Sequence, residues 1–282
     1  CEVQMLDMQY RMHPAIASFP SLEFYSGRLF SGISAAQRPL PSWHPLLHLP
    51  VALVNCSGHE EASGTSRQNL QEAACVAFLV ESLVRKGLRA EEVGVITPYL
   101  GQVKAIQEAL RRRDCGGRRN LLGIVSSVDA YQGQERRVVV ISMVRSNLGG
   151  DVGFLEDWRR TNVALTRAKE HCVVVGNIPT LLAAKATPLW RHWVQHYFGE
   201  EEEGEEASAC SPPRSPLASA DLLQWTGSSL APVRRGSEVA VALAEHAPGA
   251  LSCMLGGEGP GADRRRRHAW GSSAERLDVS GR

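Results

Sequence analysis

Val93-Gly94-Val95-Ile96-Thr97-Pro98-Tyr99, running on to Gly101-Gln102-Val103, reads as a buried strand that turns directly into a helix. Residues 93–96 are short, apolar and mostly β-branched, the pattern of a strand covered on both faces. From 101 to 113 the period changes: Val103, Ile106 and Leu110 point inward, and three arginines close the segment where a helix dipole favours cations. Working outward, the same alternation recurs. Apolar runs at 51–54, 124–128, 138–144 and 172–175 read as further strands, while 70–84 arranges Ala73, Ala74, Ala77, Leu79, Val80 and Leu83 around a helix face, with Gly87 as a stop. Strand–helix alternation predicts an α/β fold, a mostly parallel sheet with helices on both faces. Such sheets receive ligands beyond the carboxyl ends of their strands, so functional residues are expected in the loops that follow each strand.

The 282 residues are 43% hydrophobic, enough for a substantial core. A net charge of +1 does not by itself point to nucleic acid. Its distribution is uneven: residues 199–282 hold 13 acidic and 9 basic side chains, leaving 22 basic and 17 acidic before them. The seven cysteines (1, 56, 75, 115, 172, 210 and 253) form no CxxC pair, so neither a zinc site nor a disulfide framework is expected, and no metal ligand is assigned. No apolar run reaches the roughly 18–20 residues of a membrane span, and no signal peptide is visible. The chain opens on Cys-Glu-Val and enters a motif at once, which reads as an N-terminally incomplete domain over 1–198. Beyond it, six glutamates within 200–206, then Pro/Ser/Gly-rich sequence and four arginines at 264–267, predict a disordered tail over 199–282, with at most a short helix near 239–246. The arginine run reads as a solvated charge cluster, with nuclear import or nucleic-acid contact as the other readings.

Four segments carry chemistry, and their order matters. They are Gln9-Tyr10-Arg11-Met12-His13-Pro14 followed by Phe24-Tyr25-Ser26-Gly27-Arg28-Leu29; Gly94-Val95-Ile96-Thr97-Pro98-Tyr99; Ser126 to Glu135 with Val144-Arg145-Ser146-Asn147 beyond; and Arg160-Thr161-Asn162-Val163-Ala164-Leu165-Thr166-Arg167-Ala168. Physically, nucleoside triphosphate hydrolysis needs cations on the γ-phosphate, and Arg11 and Arg167 both suit that task. Gly133 permits close backbone approach to a ligand, and Glu135 beside it could accept ribose hydroxyls. Thr97 and Ser127 end apolar strands, where a hydroxyl either binds a phosphate oxygen or caps the next helix. His13 suits a helix-start packing role better than that of a general base. Asp129 and Asn162 read as braces of their own turns.

Over residues 4–198 these four motifs resemble the C-terminal helicase motifs of superfamily 1, in the group with the nonsense-mediated-decay helicase, senataxin and the replication helicase-nuclease. The segment from Pro188-Leu189-Trp190 to Gln195-His196 is also similar to the end of a GRF-zinc-finger helicase. The resemblance implies a second RecA-like domain, with Arg11 and Arg167 as arginine fingers toward ATP. It implies that Glu135 contacts nucleotide, that Gln132 and Gly133 couple nucleotide state to strand grip, and that Tyr10 packs on base or ribose, core packing being the other reading of Tyr10. Thr97, Pro98, Tyr99 and Ser127 would meet the backbone of single-stranded DNA or RNA. No G-x-x-x-x-G-K-[ST] loop occurs, so ATP and Mg²⁺ would be held mainly by a first RecA-like domain of the same parent chain. A truncated, non-enzymatic module that binds nucleic acid or a partner is the alternative. The implied setting is intracellular, nuclear or cytoplasmic, with the nucleus preferred.

Overall fold

The computed structural model describes residues 4–40, 48–113, 119–198 and 220–232. In chain order the main elements are β1 (Met8–Gln9), α1 (Pro14–Tyr25), β2 (Phe30–Ser31), β3 (Val51–Asn55), β4 (Glu61–Ser63), β5 (Ser66–Gln68), α2 (Leu70–Arg85), β6 (Val93–Thr97), α3 (Leu100–Arg112), β7 (Val125–Ser127), β8 (Arg136–Ser142), α4 (Trp158–Leu165), β9 (Ala168–Gly176), α5 (Ile178–Leu182), α6 (Leu189–Phe198), β10 (Ala220–Trp225) and β11 (Leu230–Pro232). Seven of these strands form one sheet in the order β11-β10-β3-β9-β8-β6-β7. Every neighbour pair in it is parallel except the β10–β11 hairpin.

Both faces are covered, as the apolar runs predict. Val51 and Leu53 of β3, Val139 and Ile141 of β8 and Cys172 and Val174 of β9 pack toward α1, α4, α5 and α6. Their sequence neighbours Ala52 and Val54, Val138 and Val140, Val173 and Val175 pack toward α2 and α3. Since side chains alternate across a strand, a strand buried on both faces must be apolar throughout. Helix starts are set by side-chain caps: His13 Nδ1 accepts from Ala15 N–H, Asn69 Oδ1 from Glu72 N–H and Asp157 Oδ1 from Arg159 N–H. Gly87, at φ +103, follows the end of α2 as expected.

The sheet extends beyond residue 198. β10 adds in parallel beside β3, and its Leu223 and Trp225 are buried on the α2 side, Trp225 against Phe78 at 5.3 Å between ring centroids. This corrects the expectation of a structureless tail for 220–232. Six residues of strand set in compositionally biased sequence are too few for a period to be recognised. The acidic stretch 200–206, the short helix expected near 239–246 and the arginines at 264–267 lie outside the described residues. Among the described residues, no helix is long and apolar enough to cross a membrane.

Candidate nucleotide and nucleic-acid sites

At the amino ends of β8 and β9 the chain gathers Arg11, Glu135, Arg167 and Lys169. Arg11 follows β1, and its loop is held from several sides. Gln9 Oε1 accepts from the N–H groups of Arg11 and Met12, while the Arg38 guanidinium donates to the carbonyls of Tyr10 and Arg11. Arg167 lies in the short link between α4 and β9, and its carbonyl accepts from Arg136 N–H at the start of β8. That bond sets Glu135, one residue upstream, beside the arginines. Arg11 Nε lies 2.5 Å from Glu135 Oε2, and Lys169 Nζ lies 2.7 Å from Oε1. Arg11 also donates to the Thr166 carbonyl at 3.1 Å. Arg167 bonds to the Val163 carbonyl and the Thr166 hydroxyl rather than to an acid.

The electrostatics follow from that arrangement. The hydrogen bonds from Lys169 and Arg11 hold the Glu135 carboxyl down to about 2. Burial, and then the charge of Arg11, lower the pKa of Arg167. Three cations face one carboxylate here, and the excess positive charge suits a phosphate chain. The adjoining turn fits a ligand at the backbone too: Gly133 stands at φ +79 with open space where a side chain would project, and Gln132 beside it is exposed. Tyr10 is 65% exposed and lies with its ring against Gly32, where a Cβ would collide with it. Tyr10 is thus a surface ring rather than part of the core.

Two site expectations need correction. The cation cluster lies at the amino edge of the sheet, before β8 and β9, and not beyond their carboxyl ends. The hydrophobic pattern locates strands but does not say which of their two loops faces a ligand. At the opposite, carboxyl edge, β6 and β7 end side by side with Thr97 in register with Ser127. Thr97 has no exposed surface, and its Oγ1 accepts from Tyr99 N–H. Tyr99 is only 3% exposed, with its ring on Phe154 and its hydroxyl accepting from Phe154 N–H. Both are braces beneath the edge rather than contact surfaces in this conformation. Pro98 and Ser127 are partly exposed, and Ser127 Oγ accepts from Ala130 N–H as a turn cap. Exposed Phe154, with the Arg160 guanidinium 5.5 Å from its ring and Arg160 doubly bonded to Asp129, shares this edge and went unread in the sequence. Lys169 was missed as well. It sits two residues past Arg167, where a charged residue entering a strand carries no distinguishing pattern. Asp129 and Asn162 tie separate segments together rather than their own turns: Arg160 donates to Asp129, and Asn162 Nδ2 donates to the Tyr25 hydroxyl.

Residues 1–179 match the AAA domain family. The chain is 40% identical over 202 residues to "Regulator of nonsense transcripts 1" of Caenorhabditis elegans, covering 70% of this chain and 19% of that protein. It is 39% identical over 199 residues to "ATP-dependent helicase NAM7" of Saccharomyces cerevisiae, covering 68% and 20%. Among solved structures it resembles the C-terminal domain of a possible DNA helicase from Lactobacillus plantarum, at 13% identity and a TM-score of 0.38, covering 76% of this chain and 98% of that one. The chain therefore spans about a fifth of the length of the curated relatives it matches. These relatives support the nonsense-mediated-decay group of superfamily 1 named from the motifs, and lend nothing to the narrower GRF-zinc-finger likeness. The match over residues 1–179 is decisive at family level: the chain belongs to the AAA domain family.

Proposed function

We propose that this chain is the second motor domain of an ATP-dependent superfamily 1 helicase that moves on single-stranded DNA or RNA. One observation carries the reading: Arg11, Glu135 and Arg167, far apart in sequence, converge at one sheet edge with more positive than negative charge. Arg11 and Arg167 would stabilise the charge that redistributes on the γ-phosphate as the terminal bond breaks. Glu135 would accept ribose hydroxyls, and Tyr10 offers its free face to the base or ribose. Gln132 and Gly133, in the turn between the two edges, would pass nucleotide state to the strand. Mg²⁺ would supply neutralising charge to the phosphates, and its ligands, with most of the contacts to ATP, would come from a first RecA-like domain. Pro98 and Ser127 would touch the strand backbone, supported from below by Thr97 and Tyr99. Contacts of this kind are tolerant of base sequence and sensitive to salt.

The test is Arg167→Ala in the full-length protein. Hydrolysis should fall by roughly 10³-fold or more, the usual worth of an arginine finger, while binding to a single-stranded oligonucleotide persists. Near-normal turnover in that variant would remove the finger assignment.

A further inference from the structure

Lys169 has no task in the chemistry just described, yet it holds half of the Glu135 carboxylate. Its Nζ lies 2.7 Å from Oε1, while Arg11 Nε occupies Oε2 at 2.5 Å. Arg11 therefore rests on Glu135 through Nε, and carrying its guanidinium across to a phosphate gives up that bond. A lone carboxylate would resist the exchange, because losing Arg11 would leave it uncompensated beside a newly arrived polyanion. Lys169 is well placed to prevent this. It is the second residue of β9, and its carbonyl accepts from His13 N–H at 2.7 Å, which ties its backbone to the start of α1 two residues beyond Arg11. Its side chain and that of Arg11 are about equally exposed, 34% and 31%, so both approach the carboxylate at the rim of the cluster.

We propose that Lys169 is a positioning residue that keeps Glu135 charge-compensated and in place when Arg11 leaves it for the phosphate. The inference rests on the arginine-finger reading of Arg11. In the resting arrangement Glu135 stores Arg11 close to its working position. On nucleotide arrival Lys169 remains on Oε1, Glu135 stays ionised and turned toward the ribose, and Arg11 transfers. The depressed pKa of Glu135 agrees, since the Lys169 hydrogen bond is the largest contribution to it, ahead of that from Arg11. Without Lys169 the carboxylate's one directly bonded cation is Arg11, which it holds back, so the loss falls on turnover rather than on nucleotide binding.

Steady-state ATP hydrolysis by the full-length protein at saturating single strand tests this, with K169M, K169R, the double variant K169M/E135Q and, as a control on the underlying reading, R167A. Thermal melting of each variant accompanies the kinetics. The expected result is a kcat lower by on the order of tenfold in K169M, about the worth of one charge-assisted hydrogen bond, with KM for ATP changed by no more than about twofold. K169R should keep most of the wild-type kcat. K169M/E135Q should recover kcat relative to K169M, because no carboxylate remains to retain Arg11, while KM rises with loss of the ribose contact. Wild-type kcat in K169M overturns the proposal. So does a double variant no faster than K169M, since Lys169 would then act directly on the phosphate or only on the fold. Unimpaired turnover in R167A would instead defeat the finger reading itself, whatever Lys169 does.

Discussion

Val144 stands at φ +71, a conformation that costs a β-branched residue on the order of 1–3 kcal/mol. A buried carboxylate offsets that strain. Glu72 accepts from Val144 N–H at 2.9 and 3.1 Å and from the Ser142 hydroxyl at 2.6 Å, and Asn69 Nδ2 donates to the Val144 carbonyl at 3.3 Å. The bend aims the next residue, Arg145, into the Glu60 and Asp151 carboxylates at 2.8 and 2.7 Å. No cation among the described residues pairs with Glu72, and burial pushes its carboxyl up to about 7 despite the three donors that favour ionisation. An unfolded glutamate titrates near 4.3. The folded pKa is therefore the higher one, so the contribution of Glu72 to stability is complete below about pH 4 and is lost as pH rises through about 7. Burial holds His171 and His196 down to about 4, which acts in the opposite sense: their contribution is complete above the unfolded value and is lost toward about 4. The difference between two proteins is thus the clean readout. Between pH 5 and pH 8 the unfolding free energy of wild type should fall relative to Glu72→Gln by on the order of 2–3 kcal/mol, measured by urea titration at both pH values. Parallel pH slopes would show that Glu72 does not titrate in the folded chain. At this scale the sequence disclosed the cation site and concealed the polar core. Arg11, Glu135 and Arg167 were readable because their motifs come in a fixed order. Thr97 was not, since a hydroxyl at a strand end looks the same whether it faces solvent or caps Tyr99 N–H from beneath.

The strands that repeated a long apolar run were legible as elements, and those that did not, β10 of the main sheet among them, were missed. The segments expected at 51–54, 93–96 and 172–175 form β3, β6 and β9 within a few residues, because burial on both faces leaves no polar position to obscure them. β10 differs. Its polar residues Asp221 and Gln224 interrupt the run, and only Leu222, Leu223 and Trp225 give it apolar character. Its effect on the sheet is nonetheless large. It pairs along all of β3, and Asn55 Nδ2 donates to Gln224 Oε1 at 2.8 Å. Removing it would expose the β3 edge, whose backbone groups would then lack partners. A chain ending at Phe198 should therefore be less stable than the 282-residue chain by more than the cost of losing Trp225 alone. A buried Trp→Ala change costs about 3–5 kcal/mol, and Trp225 is only 7% exposed. Urea midpoints for the truncated chain and for Trp225→Ala decide the matter. If the truncated chain matches the full one, β10 is an appendage and the domain does end at 198.

Across the whole molecule, the two proposed sites occupy opposite edges of one sheet. The cation cluster lies at the amino ends of β8 and β9, whereas Pro98 follows β6 and Ser127 ends β7, and the seven residues of β8 put about 20 Å between the edges. Coupling between nucleotide and strand needs a path, and the chain supplies a short one. Residues 128–135 run from Ser127 at one edge to Glu135 at the other, passing through a single 3-10 turn at Asp129–Tyr131. What fixes this crossover is Tyr131, 2% exposed, whose ring fills the space that a side chain on Gly94 would occupy and lies under the Arg136 guanidinium at 5.9 Å. Gly94 is thus a position of close approach rather than of unusual backbone, and Gly94→Ala must displace the Tyr131 ring. Overpacking of this kind costs about 1–3 kcal/mol, so the variant should remain folded with a lowered urea midpoint. In the full-length protein it should hydrolyse ATP at the basal rate of wild type, because Arg11 and Arg167 are carried by other segments. Stimulation of hydrolysis by single-stranded nucleic acid should shrink toward none, because the crossover no longer connects the two edges rigidly. Turnover is measured with and without saturating oligonucleotide, alongside oligonucleotide affinity. A variant with a lowered midpoint, unchanged affinity and full stimulation would sink the crossover as the route, and would leave rigid-body motion of the whole sheet to carry the signal.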